Sequence, residues 1–123
     1  MRHTEVVLAE IREQPLSVDE VLAAVRHPEA GAVSLFVGMV RDHDHGADVA
    51  GLDYSAHPSA TETARTMAER IAGRGTAVRI AVVHRVGSLA VGDLAIVAAV
   101  SAAHRSEAFS ACRELVDGFK TTV

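Results

Sequence analysis

The chain has 123 residues, 49% hydrophobic but only 3% aromatic, so a single domain (residues 1–123) with a core of Val, Ala, Leu and Ile is expected. A net charge of −4 with no basic block argues against nucleic acid and against an anionic membrane surface, and no apolar stretch reaches the roughly 18 residues of a membrane span. One cysteine, Cys112, cannot form an internal disulfide, and the acidic N-terminal residues do not resemble a signal peptide, so the expected location is cytoplasmic.

In chain order, Glu5–Ile11 reads as a short strand broken by Pro15. Ser17-Val-Asp-Glu20 has capping-box spacing, and Val18, Val21, Leu22 and Val25 give the stripe of a helix that stops before Pro28. Gly31–Val40 is apolar on both faces, which predicts a strand in the middle of a sheet. The run Asp42-His43-Asp44-His45 holds metal-ligand types. Four adjacent residues do not converge readily on one ion, however, and no second cluster completes a shell, so no metal is assigned and 42–48 reads as a solvated loop.

Val49–Ser55 is the next strand candidate. His57-Pro58-Ser59 opens a helix with a second capping-box spacing from Ser59 to Glu62, buried through Ala60, Ala64, Met67, Ala68 and Ile71 and ended by Gly73-Arg-Gly75. Val78–His84 is a strand with Val78, Ile80 and Val82 on one face, and Arg85–Asp93 reads as a connection with two glycines. From Leu94 an apolar run without helical period predicts another strand. Beyond His104 the period changes, and Phe109, Cys112, Leu115, Val116 and Phe119 mark one face of a helix that reaches Lys120, the only lysine. The order β-α-β-β-α-β-β-α favours an α+β fold with a mostly antiparallel sheet and about three helices.

Phosphate loops, dinucleotide fingerprints, serine elbows and paired zinc motifs are absent. What remains are cations at element ends: Arg41, His84-Arg85, His104-Arg105 and Lys120. A His-Arg pair at a helix start suits an anion, because free backbone N–H groups and the helix dipole add to the side-chain charge. Taken alone, these residues fit solvated end positions better than a ligand site, and His84-Arg85 fit a turn-fixing role. A non-enzymatic dimeric module that binds an anionic metabolite is the alternative to an enzyme.

Six segments in order carry a more specific signal: Phe36-Val-Gly-Met-Val-Arg41-Asp-His, Leu52-Asp-Tyr54-Ser-Ala-His57-Pro58, His84-Arg85-Val-Gly87, Gly92-Asp93, Ser101-Ala-Ala-His104-Arg105-Ser-Glu-Ala-Phe109 and Phe119-Lys120-Thr. Together they resemble the catalytic large subunit of molybdopterin synthase, from about Gly31 onward. The resemblance implies an α/β hammerhead-type domain, a homodimer, and a ubiquitin-like small subunit on each protomer, giving a heterotetramer. It implies sulfur transfer from that partner's C-terminal Gly-Gly thiocarboxylate to cyclic pyranopterin monophosphate, forming the molybdopterin dithiolene without a cofactor. By resemblance, Met39, Val40, Arg41, His104, Arg105 and Lys120 line the substrate site. Arg41 and Lys120 would stabilise developing negative charge there, His104 would move protons, and a nucleophilic or acid–base role for Lys120 stays open. The family usually continues past this helix to a second functional lysine near a tryptophan, so a missing C-terminal tail is expected after Val123.

Overall fold

The computed structural model describes residues 4–41, 43–44, 47–48, 51–54 and 60–122. The elements run β1 (Glu5–Arg12), α1 (Val18–Val25), β2 (Ala32–Met39), β3 (His43–Asp44), β4 (Ala47–Asp48), β5 (Gly51–Tyr54), α2 (Ala60–Ala72), β6 (Arg79–Arg85), β7 (Gly87–Ala90), β8 (Leu94–Ala102) and α3 (Arg105–Thr122). Four strands form one sheet in the order β1-β6-β8-β2. Only the β1–β6 pair is parallel; β6–β8 and β8–β2 are antiparallel. The expected α+β class with a mostly antiparallel sheet and three helices is therefore what forms.

Alternation along the two central strands divides the core in two. Ile80, Val82, Ile96, Ala98 and Val100 face α2 and α3, where they meet Ala64, Met67, Ile71, Leu115 and Phe119. Ala81, Val83, Val97 and Ala99 face the other way, toward Val21 and Val25 of α1. Leu115 is fully buried, and such a side chain contributes about 1.5–3 kcal/mol through burial. Ser17 caps α1 as its spacing predicts, its hydroxyl accepting from the Glu20 N–H at 3.1 Å. The buried face of α2 is the predicted set, and the helix ends through Gly73 and a left-handed Gly75 (φ 72°).

Three expectations need correction. The strand from Gly31 to Val40 is not central: β2 lies at the sheet edge. Its Ser34 and Phe36 side reaches α3, but α1, only 8 residues long, leaves Val33 (39% exposed), Leu35 (41%) and Met39 (63%) uncovered. Phe109 does not join the buried stripe of α3 and is 61% exposed, because the sheet ends at β2 and no element among the described residues lies beyond it. The connection from Arg85 to Asp93 contains a strand, β7, which pairs antiparallel with β5 from Gly51↔Ala90 to Tyr54↔Gly87. Its only inward apolar residue is Leu89, too little to produce an alternation in the sequence. Between β2 and β5, His43–Asp44 and Ala47–Asp48 form a two-residue antiparallel ladder. The remaining ligand types of that run, Asp42 and His45, and the Ser59 cap lie outside the described residues.

Gly31 sits where β2 leaves the junction between β8 and α3. Its N–H donates to the Ala102 carbonyl at 3.0 Å, and a Cβ placed there would stand 2.5 Å from the Ala103 carbonyl oxygen. Because that obstacle is backbone, Gly31→Ala is expected to cost about 1–3 kcal/mol of stability. Urea unfolding at constant m-value checks this, and an unchanged midpoint would contradict it.

Candidate functional site

Register decides which of the expected site residues can meet. Ala32 pairs with Ala102 and Met39 with Leu94, so β2 ends where β8 begins. Met39, Val40 and Arg41 therefore lie at the Leu94 end of the sheet, while His104 and Arg105 follow Ala102 at the other. The 8 residues of β2 separate the two ends by roughly 25 Å. Helix α3 starts beside His104, whose carbonyl accepts the Ala108 N–H, and runs back across β8 and β2. Its final turns reach the opposite end, where Phe119 stacks on His84 with ring centroids 5.9 Å apart, and His84 pairs with Ile96 near the start of β8. The backbone of Lys120 thus lies at the Arg41 end.

The Arg41 end is held firmly. Val40 is buried and bonded twice to the β7–β8 turn: its N–H donates to the Asp93 carbonyl at 3.0 Å, and its carbonyl accepts from Gly92 N–H at 2.8 Å. The turn is closed by Asp93 N–H to the Ala90 carbonyl at 3.0 Å and by Ala90 N–H to Asp93 Oδ2 at 2.9 Å. Gly92 supplies the left-handed conformation there (φ 92°). Arg85 Nη1 reaches the same Asp93 Oδ2 at 3.3 Å, and its Nε donates to the Glu13 carbonyl at 3.3 Å. Met39 and Arg41 themselves are exposed, as are His104 and Arg105 at the far end.

Charge is available at both ends. Arg12, Arg79 and Arg85 are paired with Glu20, Glu5 and Asp93. Among the described residues, no carboxylate is paired with Arg41 or Arg105. An anion meeting these two would displace no internal ion pair. The described residues also contain no cluster of three metal-ligating side chains, and no helix among them is long and apolar enough to cross a membrane.

Residues 11–122 match the model of the MoaE protein family. The chain belongs to the MoaE protein family. Molybdopterin synthase catalytic subunit 1 of Mycobacterium tuberculosis is 47% identical to it over 114 residues, spanning 92% of this chain and 78% of its relative. The fold agrees: the crystal structure of molybdopterin synthase from Staphylococcus aureus superposes with a TM-score of 0.86 at 28% identity, covering 93% of this chain and 84% of the other. A Helicobacter pylori structure described as a complex of subunits 1 and 2 of molybdopterin-converting factor shares the fold at a TM-score of 0.73 and 21% identity, covering 94% of this chain and 78% of that one.

Within this MoaE chain, Asp93 is the residue that sequence reasoning passed over. Gly92-Asp93 stood among the matching segments, but only the fold shows its carboxylate joining Arg85 to the turn that grips Val40. Cys112 is buried and free, and burial raises its thiol above the ordinary range, so it stays protonated and inert. Burial pushes His84 the other way, favouring neutral imidazole.

That shift carries a sign. Between the lowered folded value and the ordinary value near 6.5, the unfolded chain binds more protons than the folded one. His84 therefore leaves stability intact above the ordinary value and erodes it as pH falls below. Thermal melting between pH 8 and 5 should show a steeper acid loss for the unaltered protein than for His84→Phe, which has no proton to gain. Parallel curves would contradict it.

Proposed function

We propose that this chain is the catalytic subunit of a molybdopterin synthase, an enzyme of molybdenum cofactor biosynthesis, and that it acts as a sulfurtransferase. A ubiquitin-like small subunit brings sulfur as a C-terminal Gly-Gly thiocarboxylate, and cyclic pyranopterin monophosphate receives it in two rounds that build the dithiolene. The observation that carries this reading is family membership across residues 11–122. A cytoplasmic location goes with it.

The substrate is an anion with a planar ring, and the proposed site residues suit it. The planar guanidinium of Arg41 offers bidentate donors to phosphate. Opening the cyclic phosphate leaves negative charge on oxygen, which Arg41 and Lys120 stabilise. Attack by the thiocarboxylate sulfur forms a carbon–sulfur bond to the substrate as a carbon–oxygen bond at that carbon breaks, and water then hydrolyses the resulting thioester, releasing the tail as a carboxylate and leaving the sulfur on the pterin. His104 moves protons in these steps. A Gly-Gly tail fits a narrow path to the site because it has no side chains.

The chain works as a homodimer in this reading. The uncovered apolar face of edge strand β2, with Val33, Leu35 and Met39, supports that assembly. So does exposed Phe109 beside a groove of about 270 Å³ lined by Leu35, Phe36 and Cys112. The test is reconstitution. With a thiocarboxylated partner and cyclic pyranopterin monophosphate, the chain should form dithiolene, and a partner lacking its last few residues should neither support turnover nor bind tightly. Tight binding of the substrate without sulfur transfer would point instead to the non-enzymatic module.

A further inference from the structure

His84-Arg85 is the pair that the proposed chemistry leaves unused. The two residues are consecutive in β6, so the pleat sends their side chains to opposite faces of the sheet. His84 goes to the α3 face and stacks on Phe119, at an interplanar angle of 27°. Phe119 is 2% exposed and lies one position before Lys120, so this ring pair seats the final turns of α3 on the sheet. Arg85 goes to the other face, where it holds Asp93, and Asp93 holds the turn bonded to Val40, one position before Arg41. Both paths end one residue short of a proposed site cation.

We infer that His84 and Arg85 are positioning residues: His84 fixes through Phe119 the turn that carries Lys120, and Arg85 fixes through Asp93 the backbone that carries Arg41. The inference rests on the reading of Lys120 and Arg41 as site residues. Neither His84 nor Arg85 needs to touch substrate. The adjacency of the two residues in one strand makes β6 a common support for both sides of the site. Small displacements matter here, since a shift of about 1 Å in a catalytic group lowers a rate by up to about 100-fold.

The two paths predict different kinetic signatures. His84→Ala should lower kcat by up to about 100-fold with KM for the pterin nearly unchanged, because the group displaced acts on developing charge. His84→Phe, which keeps a ring to stack, should restore most of the rate. Arg85→Met should instead raise KM by about 10-fold in addition to lowering kcat, because Arg41 clamps the ground-state phosphate as well as meeting the charge that develops on it. Amide hydrogen exchange gives a readout independent of turnover. It should quicken at Phe119–Thr122 in His84→Ala and at Val40 in Arg85→Met, while the amides of β8 keep their protection. If His84→Ala does not fold, His84→Leu takes its place. Unchanged exchange at these amides, or His84→Phe as impaired as His84→Ala, overturns the inference. If the unaltered protein makes no dithiolene while the exchange changes appear as stated, the positioning stands and the proposed function falls.

Discussion

Replacing Lys120 by alanine is expected to lower sulfur transfer by about 100- to 1,000-fold, the usual loss when one preorganised charge-stabilising group is removed. Lys120 is the one lysine among the 123 residues. The fold should hardly notice. Burial at this end of α3 comes from Leu115, Val116 and Phe119, which remain in place. A cation in the last turn of a helix gains about 0.3–1 kcal/mol from the dipole, and that is the stability at stake. The measurement pairs single-turnover dithiolene formation with thermal melting. A melting point lowered by many degrees with activity retained would sink the claim, and so would full activity in the folded variant.

The second large effect concerns two inactive proteins that should rescue each other. Arg105 and Lys120 belong to one continuous helix, and their fifteen-residue separation is roughly 22 Å along its axis. The sheet register places Arg41 at the Lys120 end and His104 at the Arg105 end. One small substrate cannot bridge that distance within one chain. If all four residues serve one site, Arg41 and Lys120 of one protomer must meet His104 and Arg105 of its mate, and a two-fold axis makes that arrangement twice. Lys120→Ala and Arg105→Ala homodimers should each be nearly inactive. Random exchange of equal amounts makes half the dimers mixed, each with one intact site, so about a quarter of normal activity should return. Mixed dimers verified by mass spectrometry yet as inactive as their parents would exclude the shared site.

Most elements were legible because local rules and tertiary packing agree. The capping box at Ser17 and the stripe Val18, Val21, Leu22 and Val25 define α1. The five apolar positions of α2 are its buried face, and the change of period after Ala102 marks the passage from β8 to α3. The cations proposed for the site stand at element ends as expected, Arg41 just past β2 and His104 and Arg105 at the start of α3. Where reading failed, the missing information was about neighbours. Two apolar faces made β2 look central, but a strand's pattern records what its faces shun, which is water, and not which element covers them. β7 was hidden because its partner β5 is distant in sequence and only Leu89 points inward.

By itself the sequence determined the helices and most strands, through periodicities of 3.6 and 2 that belong to local backbone geometry. It also supplied the cations of the proposed site, because side-chain charge needs no fold to be read. The tertiary structure alone decided that Arg41 and His104 stand at opposite ends of one strand pair, that α3 returns its last turn to the Arg41 end, and that His84 stacks on Phe119 while Arg85 holds Asp93. These are matters of strand register and helix direction. They arise from contacts between residues far apart in the chain, which no local pattern encodes.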